Sequence, residues 1–134
     1  GRYAYVVAML KLLGRWRRSK MTLVADGKRF ECEAVYIAKG IYFAGPYTFA
    51  PEARRTTAKL HVLALKKASR RDYWRFIRGV MRGRPLEDRA NLIPLNCTML
   101  DVFSDDPLPI QADGDVVAML PVRVAISDQR LRLY

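Results

Sequence analysis

Two aspartates flank a glycine near the carboxyl end, Asp113-Gly114-Asp115. A carboxylate at the tip of a tight turn can take a proton from a hydroxyl or lend oxygen to a hard cation. By spacing alone the same dipeptide is also an ordinary hairpin turn, with Asp115 facing water. A second group is cationic. Arg70, Arg71, Arg75, Arg78 and Arg82 recur through one segment, with Lys66, Lys67 and Arg84 beside it. Such a cluster suits phosphate oxygens or an anionic lipid surface, where Tyr73 and Trp74 could sit at headgroup level; against that, Tyr73 and Ile77 are expected to pack on the sheet, with the arginines outside. Arg54-Arg55 could steer a nucleotide or lipid phosphate, or be a charged loop tip. Cys32 and Cys97 lack CxxC spacing and His61 is the single histidine, so no zinc site of about four Cys or His ligands can be assembled. Both cysteines read as small buried hydrophobes, and His61 as a packed strand residue without a catalytic role.

The 134 residues are 51% hydrophobic, enough for one domain with a real core. No apolar run reaches the roughly 18–20 residues of a membrane span. The net charge of +11 is unevenly placed: residues 1–84 hold 20 of the 24 Lys and Arg but 5 of the 13 Asp and Glu. An anionic partner is expected, whether nucleic acid, phospholipid or nucleotide.

Helical spacing of Tyr5, Val6, Met9, Leu10, Leu13 and Trp16 predicts a helix over 3–18. Met21–Ala25 and Arg29–Ala38 read as strands joined at Asp26-Gly27, a hairpin signal. A Gly/Pro/aromatic loop covers 40–51 and a strand 59–65. Ser69 followed by Asp72 is a capping-box variant that opens a helix to about Arg82. Short strands are expected over 98–103, 108–112, 116–120, 123–126 and 131–133, with a turn at Asp113-Gly114. Many short strands and one or two helices predict a mainly β, sandwich-like single domain over 1–134.

The stretch PIQADGDVV followed by PVRVAI, Pro109 to Ile126, resembles the DGE…P ending of the diacylglycerol kinase-like lipid kinases. Upstream, the aromatic loop, FAPEA (Phe49 to Ala53) and KLHVLAL are similar to that family's GG…aPxA…DGxLdV segment, in the same order. The resemblance implies the C-terminal β-sandwich domain of a two-domain enzyme that transfers phosphate from ATP, with Mg2+, to the hydroxyl of a lipid such as diacylglycerol or a sphingosine-like base. The nucleotide would be bound mainly by an N-terminal kinase domain. No GGDG or Walker-type loop occurs here, so this chain by itself is expected to be inactive.

By that resemblance Asp113 is the general base and Asp115 supports it or helps position metal, although Asp is shorter than the family's Glu by about one carbon–carbon bond, roughly 1.5 Å. The family's magnesium-binding Asp-Gly falls on Thr57 and Ala58, and a threonine poorly replaces a carboxylate toward a hard cation. No metal ligand is therefore assigned. Arg70, Arg71, Arg75 and Arg78 are expected to dock an anionic membrane, which implies a cytoplasmic, peripherally attached protein. The alternatives are a stand-alone basic β module binding nucleic acid, for which no RNP-like strand is present, and a degenerate, non-catalytic relative.

Overall fold

The computed structural model describes residues 18–39, 58–81, 90–112 and 115–127. Apart from Arg18, the helix expected over 3–18 lies outside them, as do the 40–51 loop, Arg54-Arg55, Thr57, and the strand expected over 131–133. Nine strands are described: β1 (Met21–Ala25), β2 (Lys28–Cys32), β3 (Ala34–Ala38), β4 (Leu60–Leu65), β5 (Leu92–Cys97), β6 (Met99–Ser104), β7 (Pro109–Ala112), β8 (Asp115–Met119) and β9 (Val122–Ala125). The helix α1 (Arg70–Met81) falls between β4 and β5. The strands form a sheet in the order β2-β1-β6-β9, a second in the order β3-β4-β5, and a separate β7–β8 ribbon. Every described pairing is antiparallel. The fold is the mainly β sandwich the turn spacing predicts.

Both residues of the β1–β2 turn have positive φ, 44° at Asp26 and 83° at Gly27. A tight hairpin whose twist matches its strands requires this, and Asp and Gly tolerate it best. The two larger sheets share one core. Leu23, Ala25, Cys32, Leu100 and Val102 from the first meet Leu60, Val62, Ala64 and Cys97 from the second. Both cysteines are buried and free, as expected of small core hydrophobes. The central strand β4 is buried along its whole length, including His61.

The chain passes between sheets at two single-residue corners. The strand expected over 29–38 is two strands, broken at Glu33, with β2 in the first sheet and β3 in the second. Before the break Phe30 and Cys32 face the core; after it Val35 and Ile37 do. The inward set thus changes from even to odd numbers, because a strand alternates strictly and a corner shifts its phase by one. Thr98 does the same between β5 and β6, where inward Ile93, Leu95 and Cys97 give way to Leu100 and Val102.

Candidate functional site

In the β7–β8 ribbon Ala112 pairs with Asp115, leaving two residues between the strands. Those two are Asp113 and Gly114, and they lie outside the described residues. Asp115 opens β8 and is exposed. The register slips between Ile110 and Gln111, which face Ala118 and Val116, so Val117 is the extra residue of a bulge. At the ribbon's base the Leu120 N–H donates to the Leu108 carbonyl at 2.9 Å.

Helix α1 starts as the sequence predicts. The Asp72 N–H donates to Ser69 Oγ at 3.3 Å, the Ser69 N–H to Asp72 Oδ2 at 3.2 Å, and the Ser69 hydroxyl bonds the same carboxylate oxygen. Aspartate replaces the usual Glu or Gln of the reciprocal cap. Arg70, Arg71, Arg75 and Arg78 are all exposed. At 3.6 residues per turn these four and Trp74 fall within about 140° of the helix circumference. Trp74 is itself exposed, so an indole sits among the guanidinium groups of one face. The side chains of Tyr73 and Ile77 lie outside the described residues.

What fixes this helix on the sandwich was not recognised in the sequence. The Glu33 carboxylate, at the first corner, accepts the Ala68 N–H at 2.8 Å just ahead of the cap. It also accepts both arms of Arg18, Nε at 2.8 Å and Nη2 at 2.6 Å. The Glu33 N–H meanwhile donates to the Leu65 carbonyl at 2.8 Å. The Arg18 hydrogen bonds, and secondarily the Ala68 N–H, hold the Glu33 carboxyl below its ordinary pKa against the opposing effect of burial. On the other side of the β4–α1 connection Asn91 acts as a local template. Its Oδ1 accepts the Lys67 N–H at 2.8 Å and its Nδ2 donates to the Lys67 carbonyl at 2.7 Å.

The second corner has its own carboxylate. Asp26 accepts the Thr98 hydroxyl at 2.9 Å, the Thr98 N–H at 3.1 Å and the Met99 N–H at 3.0 Å. The Thr98 hydroxyl first, then the two N–H groups, lower its pKa. On the outer face of the first sheet Asp101 accepts Arg123 Nε at 2.6 Å and Nη2 at 3.1 Å, which lowers the aspartate and raises the arginine.

Other chemistry is sparse. Burial pushes the Cys32 thiol up to about 12, which leaves no thiolate for nucleophilic work near neutrality. An open groove of ≈ 530 Å³ beside Glu33 includes Lys20, Arg29 and Lys66, but also Glu31 and Asp105. It lacks the single-sign field that concentrates an anion. Among the described residues no three His, Cys, Asp or Glu side chains come together as metal ligands. They therefore do not fit a magnesium cage. Ala58, in the second position of the family's magnesium-binding pair, is exposed.

The whole span 1–134 matches the model of a protein family, the YegS C-terminal NAD kinase beta sandwich-like domain. A provisionally assigned diacylglycerol kinase from Bacillus anthracis str. Sterne superposes with a TM-score of 0.66 at 16% identity, over 87% of this chain and 42% of that one. A diacylglycerol kinase structure from the same organism gives 0.68 at 13% identity, over 93% of this chain and 43% of its own. At such identities the likeness is one of fold. The chain spans about two fifths of the length of these structures. No curated protein matches it in sequence.

Proposed function

Because this chain belongs to the family of YegS C-terminal NAD kinase β-sandwich-like domains, we propose that it is the acceptor-side domain of an ATP-dependent lipid kinase. The observation that carries the reading is the family match over the whole span, with Asp113 in the two-residue stretch of sequence that joins β7 to β8 and Asp115 opening β8. Asp113 takes the proton of the lipid hydroxyl as that oxygen bonds to the transferred phosphorus and the bond to the leaving diphosphate breaks. Asp115, exposed at the first position of β8, keeps the local field negative and orients the turn. ATP is bound by a kinase domain on the N-terminal side, and magnesium by groups other than the described residues. The acceptor is a hydroxylated lipid of the diacylglycerol or sphingosine type.

A lipid substrate has to be met at its membrane. Among the described residues no helix is long and apolar enough to cross one. The α1 face supports membrane docking: four exposed arginines lie around the exposed indole of Trp74. Each cation near an anionic leaflet contributes about 1 kcal/mol, and an indole settles at headgroup level. The protein then works from the cytoplasmic side as a peripheral enzyme.

The test is ATP-dependent phosphorylation of diacylglycerol and of sphingosine by the full-length protein in phosphatidylserine-containing vesicles. Transfer to either supports the reading; transfer to neither, nor to any hydroxylated lipid in a total extract, contradicts it. In the same protein, replacing Arg71, Arg75 and Arg78 by alanine should lower co-sedimentation with anionic vesicles by about 100-fold, at about 1 kcal/mol each. Unchanged sedimentation, or tight salt-sensitive binding to an oligonucleotide instead, would remove α1 as the lipid dock.

A further inference from the structure

The β7–β8 ribbon carries an uncovered apolar patch on β8. Cross-strand partners share a face, which places Met119, opposite Pro109, with Val116, opposite Gln111; the bulge interrupts the alternation between Val116 and Val117. They are 65% and 59% exposed, and Met119 is 50% exposed. In the two larger sheets the same alternation buries one side in the shared core. The ribbon pairs with neither sheet. Two strands without a third strand or a covering layer are marginal in water, and clustered exposed aliphatics are typical of contact surfaces. The bulge at Val117 adds to this, because it presents a valine that no residue of β7 faces.

We infer that Val116, Val117 and Met119 form the seat on which the N-terminal kinase domain of the same polypeptide docks. Two observations favour this occupant. The solved structures that share this fold extend well beyond it, since the chain covers 42% and 43% of them. The ribbon's exposed large hydrophobics are Val116, Val117 and Met119, and no cation occurs from Ile110 to Met119, whereas the surface suited to an anionic membrane lies on α1. The inference rests on the kinase reading for the identity of that domain. It adds to it the surface that aligns the Asp113 turn with a bound nucleotide: the contact that buries the ribbon also fixes its tip.

Amide hydrogen exchange over residues 109–119 tests the seat, compared between the full-length protein and the 134-residue chain. Amides 115–119 should exchange at least about tenfold more slowly in the full-length protein, and Val117→Asp should abolish the difference. Equal exchange in the two wild-type proteins overturns the inference without recourse to any variant. Protection already present in the 134-residue chain and rising with its concentration overturns it in favour of a second copy. Asp113→Asn separates the two claims. Protection retained with turnover lost supports both; protection retained in a protein that phosphorylates no lipid keeps the seat and discards the kinase.

Discussion

Replacing Glu33 by alanine should destabilise the domain by about 2–3 kcal/mol, more than any surface carboxylate is expected to. The side chain is 11% exposed and accepts the Ala68 N–H, whose residue is 1% exposed. A hydrogen bond to a charged group nets about 1.5–3 kcal/mol, while the half-exposed Arg18 partner adds little because water screens it. Glu33→Gln keeps an oxygen for the Ala68 N–H and should cost only about 1 kcal/mol. With a slope of about 1–3 kcal/mol per molar urea for a domain of this size, the alanine variant moves the unfolding midpoint by about 0.7–3 M. The pH dependence identifies the cause. The folded-state pKa of Glu33 lies below its unfolded value, so its stabilisation is complete above the ordinary glutamate pKa of about 4.3 and is lost as pH falls through the folded value. The gap between wild type and Glu33→Gln should therefore close in acid. Urea melts of the three proteins at pH 7 and in acid make the measurement. An alanine variant within about 0.5 kcal/mol of wild type, the size of an ordinary surface change, would refute the argument that this carboxylate holds the corner to the helix.

Leu100→Ala, at a wholly buried position of the shared core, should cost about 2–5 kcal/mol, whereas Phe103→Ala on the exposed face of the same strand should cost far less, both read by thermal or urea unfolding. Asp26→Asn should lower the melting midpoint at pH 7 and flatten its fall in acid, because Asp26 is held below its ordinary pKa by groups that asparagine serves less well. Asparagine tolerates the positive φ as aspartate does, so a melting midpoint equal to wild type would show that the charge has no part in fastening the second corner.

Much of this architecture is local and therefore readable from the chain. The Asp26-Gly27 turn, the Ser69–Asp72 cap and the alternating strands each depend on neighbours within a few residues. The corners were harder to see, although the signal is present. Between 29 and 38 the odd positions change from Glu31 and Glu33 to Val35 and Ile37, which is a phase change within one apparent strand. The strand β5 was not predicted because Pro94 interrupts its run. It survives as the edge of its sheet, where a missing N–H costs nothing on the outer side. The partners of Glu33 and Asp26 stand 35 and 72 residues away in sequence, and no periodicity carries information over such distances. The basic face of α1 was legible as a cluster of arginines, and helical spacing alone places Trp74 among them.

Kinase turnover of the full-length protein carrying Asp113→Asn, measured beside Asp115→Asn, puts the account to its most direct trial. Removing a general base should lower turnover of the first variant by at least about 100-fold, with melting midpoint and vesicle binding intact, and the second variant should lose less. An Asp113→Asn enzyme that phosphorylates its lipid at the wild-type rate would contradict the account.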